Sequence, residues 1–129
     1  MSETPHQRAE AELIAYGLSL PETDVVPWAT ADSRYMRVKG KGFAVFGHEA
    51  QADELRIVLK LPISYEMIQD LPFVRPSRGW NHQHKWATVY FGPDDDPLSE
   101  METLKGWMRQ SYVAMAPKRL GRLVEVGRE

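Results

Sequence analysis

The chain has 129 residues, is 43% hydrophobic and 26% charged, and carries a net charge of -2. One ordinary domain with its own core fits that length, and two would each be very small. The absence of cysteine excludes disulfides, thiolate metal sites and a cysteine nucleophile, and the weakly acidic balance excludes a strongly basic nucleic-acid binder.

Thr4-Pro5-His6-Gln7 reads as a helix start, with Thr4 and Gln7 forming a capping box and Pro5 at the first helical position. Ala9, Leu13 and Tyr16 follow at helical spacing, and Gly17 and Pro21 end the element by about Leu20. Val25-Val-Pro-Trp28 is a short apolar run that Pro27 confines to an edge. Arg34–Val38 and Gly42–Phe46 flank Lys39-Gly40-Lys41 and form a hairpin. Glu54–Lys60 alternates, with Leu55, Ile57 and Leu59 inward and Arg56 and Lys60 outward.

Pro62 ends that strand, and Ser64 caps an expected helix through Leu71, which Pro72 stops. Phe73–Pro76 is at most a short strand, and Ser77–Asn81 reads as a loop. His84–Phe91 is a strand rich in aromatic and β-branched residues. Gly92–Pro97 is an acidic connector, and Ser99 and Glu102 form a second capping box. Met101, Leu104, Met108, Ser111, Tyr112 and Met115 make a stripe of period 3.6, so a long helix runs to about Pro117. Lys118–Leu123 adds one more turn, and Val124–Glu129 is expected to fray.

The expectation is therefore a single α+β domain over residues 1–129, with its core at about 4–123. Its two layers are an antiparallel sheet and helices on one face, in the order α-β-β-β-α-β-β-α, with the other sheet face open to solvent or a partner. No apolar run spans a membrane, and the first residues lack a signal-peptide pattern, so a cytoplasmic setting is expected.

His82 and His84 would share one face of an extended segment, but no third ligand stands at a zinc spacing, so no metal is expected. Asp94-Asp95-Asp96 lacks the calcium-loop spacing and reads as a solvated turn near a helix N-terminus. No nucleophile elbow or phosphate-binding loop occurs, Ser111 falls on the apolar helix stripe, and Lys39–Gly42 is a hairpin turn. No catalytic residue and no cofactor are assigned.

Charge is segregated, however. Residues 34–41 hold Arg34, Arg37, Lys39 and Lys41 and no acid, and residues 71–91 hold Arg75, Arg78 and Lys85 and no acid. Both stretches interleave bases with aromatics, Trp80 and Trp86 among them, and cations with aromatic planes suit phosphates and bases.

The chain resembles the MmcQ/YjbR family. The carrying segments are Leu18–Thr23, Pro27-Trp28, Arg37–Ala44, Leu59-Lys-Leu61, Leu71–Pro76, Lys85-Trp86, Ser111-Tyr112 and Lys118–Leu120. Ala29 stands where a glycine is usual, and the stretch between Arg75 and Lys85 departs in length or spacing from the common form. The resemblance implies a two-layer α+β fold and a DNA-binding role through a double wing of β-hairpins.

Three readings of function follow. The first is a non-enzymatic DNA-binding domain using Arg34, Arg37, Lys39, Lys41, Arg75, Arg78, Trp80 and Lys85, with weak, salt-sensitive affinity. The second is a protein- or peptide-interaction module like the sheet surface of secretion chaperones, which exposed Trp28, Met36 or Phe46 would favour. The third is an enzyme or small-molecule binder with His82, His84, Trp80 and Arg75 in a pocket.

Overall fold

The computed structural model describes residues 4–27, 33–47 and 53–127. Helix α1 spans Pro5–Leu18 and has both halves of the expected capping box. The Gln7 amide donates to Thr4 Oγ1 at 3.1 Å, and the Thr4 amide donates to Gln7 Oε1 at 3.0 Å. Gly17 lies inside the helix rather than ending it. A Cβ there would come within 2.6 Å of the Met36 side chain, so glycine permits the close approach of α1 to the sheet.

Among the described residues six strands follow: β1 (Thr23–Pro27), β2 (Arg34–Val38), β3 (Lys41–Phe46), β4 (Leu55–Lys60), β5 (Val74–Arg75) and β6 (Trp86–Phe91). They form one sheet in the order β1-β2-β3-β4-β6-β5, with every pairing antiparallel. Pro27 closes β1, which among the described residues pairs only with β2, as expected of a proline-bearing edge. Trp28 and Ala29 lie outside the described residues. The β2–β3 turn places Lys39 (φ 51) and Gly40 (φ 82) in the left-handed region, the signature of a two-residue hairpin turn.

Two elements depart from the expected order. Residues 62–70 form a run of turns, not a helix. Gln110 Oε1 accepts from the Ile63 and Ser64 amides at 3.0 and 3.1 Å, so a distant side chain takes donors that a local helix start would leave to its cap. A short helix, α2, forms instead at Gly79–Gln83, inside the stretch expected as a loop.

The long helix α3 spans Met101–Met115 and is entered through a 3-10 turn at Pro97–Glu100. Its start differs from the Ser99–Glu102 box. Asp96 Oδ1 accepts from the Leu98 amide at 3.1 Å, and Ser99 spends its hydroxyl donating to the Asp96 carbonyl at 2.7 Å. Helix α4 runs over Lys118–Gly127, longer than the single turn expected, and Arg128 and Glu129 lie outside the described residues. Leu120 and Val124, one turn apart, are buried and tie it to the core.

The helices cover one face of the sheet. Met36, Ala44, Ile57 and Val89 point to that face and are fully buried, with Leu13 of α1 and Leu104 and Met108 of α3 among the residues packed against them. The Tyr112 ring meets Phe43 edge-on at 5.6 Å, and its hydroxyl donates to the Pro21 carbonyl at 2.7 Å. His6, also buried, pins α1 to the end of β6 through Nε2 and the Gly92 carbonyl at 2.8 Å.

Ser111 does more than pack. The register Ala44↔Leu59 sets Phe43 opposite Lys60 at the next position. There the buried Ser111 hydroxyl donates to the Phe43 carbonyl and accepts from the Lys60 amide at 2.9 Å. A helix side chain thus completes the β3–β4 ladder where the two strands no longer bond directly. Removing the hydroxyl leaves two backbone groups unsatisfied, each costing about 1–3 kcal/mol. Ser111→Ala is expected to lower unfolding stability in urea by about 2–4 kcal/mol. An unchanged urea midpoint with an unchanged slope would contradict the bridge.

Candidate functional site

Strand alternation places a second set of side chains on the uncovered face. One row runs Val26, Tyr35, Val45, Val58, Thr88 and Arg75 across the whole sheet. On β4 and β6 the flanking pairs are Arg56 with Tyr90 and Lys60 with Trp86. Of these, all but Val26 and Lys60 line a groove of about 730 Å³, to which α2 adds Trp80 and Asn81. Tyr35, Trp80, Trp86 and Tyr90 supply its aromatic surfaces, and Arg56 and Arg75 its charges. Val45 and Val58 supply apolar surface, and among the described residues no carboxylate lines it.

Each wall has a local cause. Tyr35 packs across Gly42, where a Cβ would come within 2.0 Å of the phenol ring, so only glycine leaves room for it. Tyr90 is held by its hydroxyl, which donates to Glu54 Oε2 at 2.5 Å. That hydrogen bond raises the Tyr90 phenol above its ordinary pKa, with Arg56 and Arg75 pulling weakly the other way. The guanidinium carbons of Arg75 and Arg56 stand 5.1 and 5.7 Å from the Tyr90 ring centroid, within cation–π range. Arg75 is also anchored by a 2.7 Å hydrogen bond to the Pro72 carbonyl.

Helix α2 brings Trp80 to the groove. The Trp80 ring is 60% exposed, and its centroid lies 4.4 Å from His84 and 6.3 Å from Trp86. Tyr65 and His82 hold the helix from behind, with the Tyr65 hydroxyl 2.8 Å from His82 Nδ1. The helical path also separates the histidines: His82 is in α2 and His84 caps its end, so they do not share the face of an extended strand. Among the described residues no group of three side chains is placed to hold a metal ion.

The residues singled out in the sequence divide into three sets. Arg75 and Trp80 line the groove. Arg37, Lys39 and Lys85 each face a carboxylate: Arg37 reaches Asp24 at 2.7 Å, Lys39 reaches Glu22 at 3.2 Å and Lys85 reaches Glu66 at 3.0 Å. Arg34, Lys41 and Arg78 are exposed outside the groove. Met36 and Phe46, whose exposure would have favoured a peptide-binding module, are fully buried, and Trp28 lies outside the described residues.

Sequence reasoning missed Arg56 and Tyr90 as site residues, and noted Tyr35 and Trp86 among the interleaved aromatics without assigning them. The available signal was outward alternation in β4, where Arg56 sits among inward Leu55, Ile57 and Leu59. What places Arg56 beside Tyr90 is the β4–β6 pairing, which joins segments more than thirty residues apart.

The ion pairs have a pH signature. Arg37 lowers the Asp24 carboxyl through a two-pronged hydrogen bond, and Lys39 and Arg119 lower Glu22. Groups whose folded pKa lies below the unfolded value contribute stability above the unfolded pKa and lose it as pH falls through the folded one. The thermal midpoint is therefore expected to fall as pH drops from about 5 to about 3. Asp24→Asn should flatten that dependence. An equally steep fall in the variant would show that the Asp24 pair contributes nothing to it.

Comparisons with known proteins agree with this architecture. The crystal structure of Deinococcus radiodurans protein DR2400, with the family-model domain DUF419, is similar at a TM-score of 0.65 and 23% identity. The match covers 88% of this chain and 81% of that one, and it establishes the fold alone. Among curated proteins none matches. The YjbR family model matches residues 18–114, which take in all six strands and nearly all of α3. The chain belongs to the YjbR family.

Proposed function

We propose that this domain is a non-enzymatic nucleic-acid-binding protein whose contact surface is the groove on the open sheet face, engaging single-stranded segments. One observation carries the reading: among the described residues four aromatic side chains and two arginines line the groove and no carboxylate does. Base–aromatic stacking is worth about 1–3 kcal/mol per base and needs unpaired bases, while guanidinium groups take the phosphates. A sheet face with this lining suits a single strand better than a duplex, whose bases are stacked on each other.

The β2–β3 hairpin is less suited to the contact. Arg37 and Lys39 would have to leave Asp24 and Glu22 before meeting phosphates, and so would Lys85 leave Glu66. Each exchange trades one ion pair for another and gains little.

Salt dependence separates the two surfaces. Two phosphate contacts on a single strand weaken affinity about sevenfold between about 50 and 200 mM salt, whereas seven contacts on a duplex weaken it roughly 10³–10⁴-fold. Fluorescence anisotropy with a single strand of about ten nucleotides and with a duplex gives both slopes. The expected result is tighter single-strand binding with the shallow slope. Joint charge reversal of Arg56 and Arg75 should abolish it, and joint reversal of Lys39 and Lys41 should change it by no more than about twofold. Duplex preference with a steep slope would move the contact to the hairpin. No binding of either form at the lower salt would overturn the proposal.

A further inference from the structure

Trp86 is a groove residue with an unmet hydrogen-bonding need. It is only 9% exposed, and its indole Nε1–H is buried with no acceptor among the described residues. Buried donors are nearly always paired, and leaving one unpaired costs free energy in the unliganded fold. The indole can only donate, so what it lacks is an acceptor. Its backbone is fixed in the β6 ladder opposite Lys60, and the Trp86 carbonyl accepts from Ser77 Oγ at 2.7 Å.

Tyr65 fastens α2 from behind through His82, but the Trp80 side chain itself is lightly held. Trp80 lies against Trp86 with its ring 28° from parallel, yet it is largely exposed. It sits on a five-residue helix with no buried residue and no side-chain cap. Left-handed residues stand at the helix's first position, Gly79 at φ 55, and two residues past its last, Lys85 at φ 65. Little buried contact opposes a displacement of Trp80.

We infer that Trp86 Nε1–H is the groove's fixed hydrogen-bond donor to the edge of an unpaired base, uncovered when Trp80 shifts to stack on that base. This deepens the proposed function and rests on it. The chemistry is specific: every base carries carbonyl or ring-nitrogen acceptors on its edge, and a phosphate–sugar backbone without bases offers no plane to stack. Trp86 thereby distinguishes a base-bearing strand from a mere polyanion, and Arg56 and Arg75 supply the charge contact.

Nuclear magnetic resonance of the four indole N–H groups in the ¹⁵N-labelled protein tests this directly. Trp86→Phe, which keeps a ring and removes the donor, identifies the Trp86 resonance. A thymine single strand of about ten nucleotides should move that resonance downfield, and an abasic strand of equal length should not. Trp86→Phe should bind the thymine strand about tenfold more weakly. Its melting temperature falls modestly in either case, because a smaller ring fills less of a buried site, so the resonance shift and not the melting temperature separates a ligand-binding from a structural role.

Wild-type affinity in Trp86→Phe would overturn the inference. So would an unmoved Trp86 resonance in a protein that binds the strand, and in both cases the nucleic-acid reading stands. Absence of any strand binding overturns both together. If the variant does not fold, substitution of the other tryptophans assigns the resonance by elimination, and the wild-type spectrum then decides.

Discussion

One constraint shapes the molecule: six strands share helices on a single face. Packing against α1 and α3 claims every second residue of β2, β3, β4 and β6 for the core, Met36, Ala44, Ile57 and Val89 among them. The alternate residues must then be held without a helix layer over them. They are held by short-range devices: Gly42 beneath Tyr35, Glu54 on the Tyr90 hydroxyl, the Pro72 carbonyl on Arg75. The open face is thus an ordered array of rings and guanidinium groups rather than a solvated sheet surface.

The helix layer also maintains the sheet itself. Ser111 of α3 supplies the donor and acceptor that Lys60 and Phe43 need, and Gln110 beside it fastens the turns after β4 through Ile63 and Ser64. Those turns carry Tyr65, which reaches His82 in α2. A chain of contacts therefore runs from α3 through the turns to the helix that bears Trp80. Burial on one side of the sheet positions the wall of the groove on the other.

Legibility followed the range of the interactions. The α1 capping box, the glycine hairpin turn, the alternation in β4 and the aromatic strand β6 are all local patterns, and each forms where its residues predict. The turns at 62–70 were misread because Gln110, more than forty residues away, takes the amides of Ile63 and Ser64. Helix α2 has no side-chain cap and no buried stripe, so nothing local announced it. At the site, clustering in sequence drew attention to Arg37, Lys39 and Lys85, whose carboxylate partners are visible only once β1, β2 and the turns are folded together. Arg75 and Trp80 were within reach because they lie close to Trp86 in the chain. Arg56 and Tyr35 join them only through the order of strands.

Under the proposed function the open face, not the hairpin tip, meets the nucleic-acid strand. Mapping backbone amide shifts while an unlabelled single strand is titrated into ¹⁵N-labelled protein tests it most directly. Perturbations are expected to concentrate at Arg56, Val58, Arg75, Thr88 and Tyr90 and along α2, with Lys39, Gly40 and Lys41 unmoved. Perturbations confined to residues 37–42, with the β4 and β6 amides silent, would contradict it.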